Sequence, residues 1–452
     1  MSDELLTVLQ KIPGLRVTAR MSAFSFKGQK TTAQEIGRKL GVAYLVNGSV
    51  QKSGTSVRLV VRLDRADTGE QVWGDSFQRE LKDVFAVQSE LAATIIGQLR
   101  SRLGGGSTAP TAVEAQVLAV TRGGTKNTAA LEAYLQGRYY SPKLTAADLA
   151  RAIEHFQHAV ELDDRYAQAW ARLGEAQVTS AFYSFEGITT LAQLEAAVER
   201  ARIAINRSLA LEPDLPEGLA ARAYVLAGYD FDWKGWSATL KRALQLDPQN
   251  PDLISTAARA VEISGRINEA LELKRKAVAL DPANPALRSG LASNYALSRR
   301  FDEARQEMTR VLEFSPDRTY AHGMLAQYLL RQGKAGEALI DAEKEKTEWA
   351  RLISLAMIYW QLQETEKSDA ALARLVAGYS ETCAYQVAQI HAFRGQNDLA
   401  FEWLERAWRQ RDSGLEFLRL GSEFTKLQTD PRWPVFLRKV GLADEQVKEW
   451  GW

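Results

Sequence analysis

The stretch LDPQNPDLISTAARAVEISGRINEALELKRKAVALDP, residues 246–282, decides the fold of most of this chain. Apolar residues recur in it at helical spacing on both sides of Gly265, and an Asp-Pro step closes it at either end. Proline cannot continue a helix and forces the residue before it into an extended conformation. It recurs at nearly constant spacing, at Pro213, Pro248, Pro282 and Pro316. The spacing predicts a repeated pair of helices with a period of about 34 residues.

Small residues recur where the two helices of each predicted pair would cross. Only small side chains let two helix backbones approach closely, so a large residue there would push the pair apart. The predicted crossings are Gly174 with Ala201, Ala258 with Ala270, Ala292 with Ala304, Ala326 with Ala338, Ala356 with Ser368, and Ala388 with Ala400. Glycines with convenient positive φ are expected at the turns within the pairs, at Gly265, Gly333 and Gly395.

These features resemble the tetratricopeptide repeat (TPR), a helix pair of about 34 residues. The resemblance covers roughly 280 residues and implies an all-α superhelix, or α-solenoid. We count about eight repeats over residues 129–414, with an insertion around residues 178–191 of the second. Residues 415–452 are expected to form a C-terminal capping segment, because a solenoid must cover its last apolar face.

The first 102 residues predict a separate α+β domain with an antiparallel meander and helices. Expected strands run over 15–20, 42–52, 57–64 and 71–77, of which the third alternates apolar and charged residues. Helices are expected from Leu5 to Ile12, from Ala33 to Leu40 and from Val84 to Leu99. Residues 103–128 are rich in Gly, Thr and Ala, a composition typical of a flexible linker.

This first domain resembles the TolB-like amino-terminal domain that precedes TPR arrays in bacterial signalling proteins. The residues that carry the resemblance are 12–17 (IPGLRV), 26–28 (FKG), 36–40 (IGRKL), 48–50 (GSV), Trp73 and 84–88 (VFAVQ). In that family an extra strand comes before the first helix, so this domain is expected to lack its first strand, either because the start is truncated or because the strand has been lost. The resemblance also implies that relatives carry upstream cyclase, kinase or DNA-binding modules.

Composition gives little support for catalysis or for nucleic-acid binding. Lys and Arg number 57 against 56 Asp and Glu, so there is no basic surface for DNA or RNA. Cys383 is the only cysteine, and no His/Asn set accompanies it as a nucleophile would require. His155 and His158 share one helical face without a third ligand. No catalytic residue, metal or cofactor is predicted.

The expected function is therefore that of a non-catalytic protein-interaction scaffold or adaptor in bacterial signalling or regulation. A peptide or helix of the partner would bind on the concave surface made by the first helices of the repeats, at Arg259, Glu262, Ser293, Gln327, Arg331, Trp360, Tyr385 and Gln389. The alternative is that the chain is the regulatory C-terminal part of a signalling enzyme, such as an adenylate cyclase.

Aromatic residues in the predicted loops form a second candidate recognition surface. They are Phe182, Tyr183 and Phe185 in the insertion, and Tyr229, Phe231, Trp233 and Trp236 in the next repeat. The acidic N-terminus and the absence of an 18-residue apolar run predict no membrane span in this chain. We expect a cytoplasmic location, or a periplasmic one if an upstream region carries a membrane segment. The sequence leaves the oligomeric state open.

Overall fold

A computed structural model describes residues 17–18, 22, 26, 31–53, 56–80, 94, 124–184 and 190–452. The chain forms two compact units, one of residues 1–128 with 278–284 and the other of residues 129–277 with 285–452. Of the N-terminal predictions, the helix over Leu5–Ile12 lies outside the described residues, as do nearly all of the strand over 15–20 and of the helix over 84–99. Most of the predicted linker also lies outside them.

The N-terminal unit holds the predicted antiparallel meander. Its strands are β1 (Tyr44–Ser53), β2 (Ser56–Arg65) and β3 (Gln71–Glu80), in the spatial order β1-β2-β3. On one face of β2 the side chains of Leu59, Val61 and Leu63 are buried, and Arg58 and Arg62 on the other face are exposed, which confirms the predicted alternation.

Helix α1 (Ala33–Leu40) precedes the sheet and has the predicted bounds. Thr32 and Glu35 form a reciprocal capping box at its start, and Gly41 ends it with φ of 63°. Gly37 lets this helix approach the strand connection closely, because a Cβ there would lie 2.4 Å from the Cβ of Ala66. The helix therefore packs where only glycine fits.

Across residues 124–184 and 190–409 the structure places sixteen α-helices in eight consecutive pairs. The pairs are α2 (Thr128–Tyr140) with α3 (Ala146–Leu162), α4 (Ala167–Thr179) with α5 (Leu191–Leu211), α6 (Pro216–Val225) with α7 (Trp233–Leu246), α8 (Pro251–Ile263) with α9 (Ile267–Leu280), α10 (Pro285–Leu297) with α11 (Phe301–Phe314), α12 (Ala321–Arg331) with α13 (Ala335–Lys344), α14 (Glu348–Gln361) with α15 (Thr365–Tyr379), and α16 (Ala384–Phe393) with α17 (Asn397–Arg409). The predicted solenoid of helix pairs is confirmed.

The small residues predicted at the helix crossings are buried at all six of those crossings. Their alanines and Ser368 are 0% exposed. At Gly174, a Cβ would lie 2.5 Å from Ile205 and 2.9 Å from the carbonyl oxygen of Ala201, so even alanine is too large there. Ser368 donates a hydrogen bond of 2.5 Å to the carbonyl oxygen of Ala356, directly across the crossing. The two helices of a pair therefore meet nearly backbone to backbone.

Prolines follow the ends of several helices, and residues with positive φ occur at the turns within the pairs. Pro213, Pro248 and Pro316 each stand just beyond the end of a helix, as expected for residues that prevent its continuation. Gly265, Gly333 and Gly395 have φ of 88°, 77° and 75° at turns within pairs. The equivalent turns after α10 and α14 use Arg299 and Gln363 at φ of 58° and 65°, which the sequence did not signal.

The prediction that Trp233 and Trp236 are loop residues available for recognition is wrong. Both belong to α7 and are 4% and 1% exposed, and Phe231 just before them is 8% exposed. Their rings are the centre of an apolar core, which explains why large aromatic residues cluster there. Phe182 is also buried and packs edge-on against Tyr224. Phe185 and Gly187 lie outside the described residues.

That aromatic core is completed by the C-terminal segment, residues 413–452. It consists of two 3₁₀ helices (Ser413–Phe417 and Ser422–Thr429) followed by α18 (Arg432–Lys439) and α19 (Asp444–Lys448). The Trp233 ring stacks on Trp450 with 5.8 Å between centroids, and its Nε1 donates a hydrogen bond of 2.7 Å to the carbonyl oxygen of Val440. The hydroxyl of Ser237 donates to the carbonyl oxygen of Trp450 at 2.8 Å.

The segment thus does more than the predicted capping of the last repeat. It packs on α16 and α17, where Phe424 lies 5.5 Å from the Tyr385 ring and Arg432 lies over Phe401. Through Trp450 it also joins the third helix pair, which comes far earlier in the chain. The helix pairs between α7 and α17 are therefore bridged by the end of the chain.

Enlarging a side chain at a helix crossing should destabilise the array. We expect Ala356→Leu to lower the free energy of unfolding by about 1–3 kcal/mol, because the added methyl groups have no space between the backbones of α14 and α15. Ala370→Leu is the matched control, since Ala370 is exposed on α15. Chemical denaturation followed by circular dichroism would measure both. Equal losses in the two variants would contradict the close crossing.

Candidate ligand-binding cavity

One cavity of about 560 Å³ lies within the helical unit, between the repeats and the C-terminal segment. We call it the inner cavity. Four first helices of the pairs, α8, α10, α12 and α16, supply much of its wall, and residues 413–423 supply another part. First helices line it because each pair repeats the orientation of the one before, so equivalent faces follow one another along the array.

Seven of the eight residues predicted on the concave surface line the inner cavity. They are Arg259, Glu262, Ser293, Gln327, Arg331, Tyr385 and Gln389. The eighth, Trp360, is not among the lining residues, and its ring packs under the guanidinium of Arg394 at 5.0 Å. The helical register of the sequence was therefore sufficient to bring most of these side chains together.

Two arginines of the inner cavity are paired with carboxylates of the C-terminal segment. Arg259 lies 3.0 Å from Glu416, and Arg331 lies 2.6 Å from Glu423. Both carboxylates are almost completely buried, with 4% and 6% of their side chains exposed. The sequence did not predict these partners, because Glu416 and Glu423 are far from their arginines along the chain.

Burial and ion pairing shift the pKa values of Glu416 and Glu423 in opposite directions. Burial raises the pKa of Glu416, and the charges of Arg259 and Lys274 only partly oppose it. Burial also acts to raise the pKa of Glu423, but Arg331 and hydrogen bonds outweigh it and leave this pKa below its ordinary value. The Arg331–Glu423 pair thus holds its carboxylate in the ionised form.

A third ion pair lies wholly within the repeats. Lys274 of α9 approaches Glu262 of α8 at 2.9 Å, and both side chains are at most 7% exposed. Lys274 also donates to the carbonyl oxygen of Gly290, and Asn294 donates to Glu262 at 2.7 Å. Burial lowers the pKa of Lys274, and the attraction of Glu262 opposes the change. Glu262 is consequently a bonded structural residue rather than a solvated one.

Tyr385 stands at the junction of the last helix pair and the C-terminal segment. Its side chain is 3% exposed, and its hydroxyl has no hydrogen-bond partner among the residues that the structure describes. Burial raises the pKa of this hydroxyl well above its ordinary value. Its backbone N–H donates a 2.9 Å hydrogen bond to Asp412, which also accepts from the N–H of Gly414.

Cys383, His155 and His158, which were considered for nucleophilic or metal chemistry, are not among the residues that line the inner cavity. Cys383 is fully buried, and this burial raises the pKa of its thiol far from the range of a reactive thiolate. His155 stacks on Tyr140 at 5.6 Å, and His158 lies 3.9 Å from Glu161. Within the described ranges, no three His, Cys, Asp or Glu side chains are grouped so that they could hold a metal ion.

Comparisons with known proteins support the assignment of the repeats. Residues 262–328 match a family model described as a tetratricopeptide repeat. Solved structures with similar folds include PilF of Pseudomonas aeruginosa (14% identity, 51% of this chain and 98% of that one, TM-score 0.36). A TPR protein of Thermus thermophilus matches at 20% identity, over 45% of this chain and 100% of that one, with a TM-score of 0.34. The model match identifies residues 262–328, which run from the end of α8 into α12, as tetratricopeptide repeat sequence.

A curated relative is similar to part of the chain. It is described as putative adenylate cyclase 3 of Rhizobium meliloti (strain 1021), and it is 36% identical over 105 residues. The match covers 23% of this chain and 18% of the relative, so the chain spans less than a fifth of that protein's length. No helix in the described part of the chain is long and apolar enough to cross a membrane.

Removing one partner of a buried ion pair should lower the stability of the helical unit. Arg331→Ala leaves Glu423 buried without its cation, so we expect the free energy of unfolding to fall by about 3–5 kcal/mol. Arg374→Ala, in an exposed pair with Glu348, is the matched control and should change stability little. Adding Glu423→Gln to Arg331→Ala should recover part of the loss, as measured by urea denaturation. A double variant less stable than Arg331→Ala would contradict the buried-charge explanation.

Asp412 should make the array more stable at mildly acidic pH. Burial raises the pKa of this carboxyl to about 6 in the folded chain, from an ordinary value of 3.8, although backbone N–H donors oppose the shift. Its protonated form is thus favoured by folding, and the stabilisation is complete below 3.8 and lost as pH rises through about 6. From pH 7 to pH 5, the free energy of unfolding of the wild type minus that of Asp412→Asn should increase. If this difference in unfolding free energy stayed constant or decreased from pH 7 to pH 5, the Asp412 carboxyl would not be desolvated.

Proposed function

We propose that this chain is a non-catalytic protein-interaction scaffold whose partner places a peptide segment or a short helix in the inner cavity. The observation that carries the proposal is the convergence of seven polar and aromatic side chains from four of the repeats on one cavity. TPR proteins generally mediate protein–protein interactions, and polar groups presented at regular intervals on rigid helices suit recognition of a polypeptide.

The N-terminal unit would act as a regulatory or assembly module. Its three-stranded meander and the helix Ala33–Leu40 are compatible with the TolB-like domain that its sequence resembles. Because such domains precede TPR arrays in bacterial signalling proteins, we place the scaffold in bacterial signalling or regulation. Among the described residues no three His, Cys, Asp or Glu side chains are grouped for a metal ion, and burial raises the pKa of the Cys383 thiol.

A second candidate is that the chain is a regulatory part of a signalling enzyme such as an adenylate cyclase. The similarity to a putative adenylate cyclase over 105 residues favours it. Sequencing the DNA upstream of Met1 in its genome separates the two candidates. An in-frame cyclase, kinase or helix-turn-helix region would support this second candidate and exclude the free-standing adaptor.

Blocking the inner cavity should abolish partner binding. We expect Gln389→Trp to remove a partner that the wild-type chain retains from a lysate of its own host, because the indole would fill space beside Tyr385. Gln361→Trp is the matched control, since Gln361 is exposed at the end of α14. Quantitative mass spectrometry of the retained proteins measures the effect, and thermal unfolding verifies that both variants fold. Equal retention by the three proteins would show that the partner binds elsewhere.

A further inference from the structure

The charged groups of the inner cavity balance one another. Four cationic residues line it, Arg259, Lys274, Arg318 and Arg331, and four anionic ones, Asp252, Glu262, Glu416 and Glu423. Three of the cations have a carboxylate of the cavity wall within 3.0 Å. The formal charge of the wall is therefore zero, and its principal cations already have partners.

A charged ligand would disturb this balance. An acidic group that drew Arg259 or Arg331 away from its carboxylate would leave Glu416 or Glu423 buried without a cation. Leaving a buried charge unpaired costs several kcal/mol, which exceeds what one new ion pair returns. The same argument applies to a basic group that would compete for the carboxylates.

The carboxylates cannot easily move away, because the segment that carries them is firmly packed. Leu415, Leu418, Phe424 and Leu427 are at most 1% exposed. The same segment continues into the buried aromatic contact between Trp233 and Trp450. Withdrawing Glu416 and Glu423 would expose this apolar surface to water, which opposes the movement. The part of the cavity wall that carries Glu416 and Glu423 is thus held in place by buried apolar contacts.

The wall of the cavity also holds buried polar atoms that belong to uncharged side chains. The buried hydroxyl of Tyr385 and the Oε1 of Gln386 have no hydrogen-bond partner among the residues described. Together they can donate to and accept from a neutral polar group, since a phenol is a donor and an amide oxygen an acceptor. Apolar surface from Leu287, Met324 and Phe417 lies in the same wall. A ligand that satisfies the polar atoms and covers the apolar surface is amphipathic and has no net charge.

We propose that the inner cavity binds a short, uncharged, amphipathic peptide segment of the partner and selects against acidic and basic residues. The proposal rests on the proposed function and gives the chemistry of the partner. The volume of about 560 Å³ lies within the range of small-ligand pockets, and so it holds only a few residues of a chain. A backbone amide or a side chain such as Asn, Ser or Tyr would meet Tyr385 and Gln386.

Selection from a random peptide library tests this chemistry. The full chain is immobilised and a displayed library of random octapeptides, which includes acidic and basic sequences, is passed over it. Two glycine variants are selected in parallel. Gly290→Phe fills the cavity, because a Cβ at Gly290 meets only Lys274 and Ser255 at an ordinary 3.6 Å. Gly336→Phe is the matched control, since Gly336 is exposed and has no neighbour within 4 Å of a Cβ.

We expect the wild type and Gly336→Phe to enrich peptides without Asp, Glu, Lys or Arg in a shared motif. Gly290→Phe should lose that motif. By fluorescence anisotropy, its affinity for a synthetic peptide of the motif should be weaker by at least about tenfold, a difference of about 1.4 kcal/mol. Enrichment of acidic or basic motifs that depend on Gly290 would overturn the uncharged-ligand proposal and leave the scaffold function standing. Failure to enrich any motif that Gly290→Phe abolishes would overturn both.

Discussion

The close approach of two helices at a small residue is the constraint on which the array depends. Where Ala356 meets Ser368, or Gly174 meets Ala201, the backbones themselves are in contact, so each pair has one geometry. Repeating that geometry at a nearly constant period brings the first helices of successive pairs to the same side. The inner cavity exists because this constraint recurs, and the side chains that line it are those at equivalent positions of neighbouring repeats.

The C-terminal segment changes what this inner side offers to a partner. In an open array, Arg259 and Arg331 would present two cations to an acidic peptide. Here Glu416 and Glu423 already occupy them, and the packing of Phe424 and Trp450 holds the segment in place. The chain therefore pairs these two arginines with its own carboxylates, while the buried Tyr385 hydroxyl has no hydrogen-bond partner among the described residues.

Local rules predicted much of the fold and part of the site. The proline spacing, the buried alanines and the turns at Gly265, Gly333 and Gly395 follow from backbone geometry that acts within one repeat. The helical register placed seven of eight chosen side chains on one cavity. Contacts between distant segments could not be predicted in this way. No periodicity links Trp233 to Val440, and so two tryptophans of the core were mistaken for loop residues.

The contact between Trp233 and Trp450 has a consequence for how the array unfolds. In a linear solenoid each repeat touches only its neighbours, so the terminal repeats can fray while the rest stays folded. Here Trp450 of the C-terminal segment packs against the third helix pair. The pairs between α7 and this segment are therefore joined by contacts at both ends. Unfolding any one of these pairs disturbs the contacts of the others, which favours all-or-none unfolding of this part of the array. The contacts of Trp450 with Trp233 and Ser237 thereby protect the C-terminal segment against local unfolding.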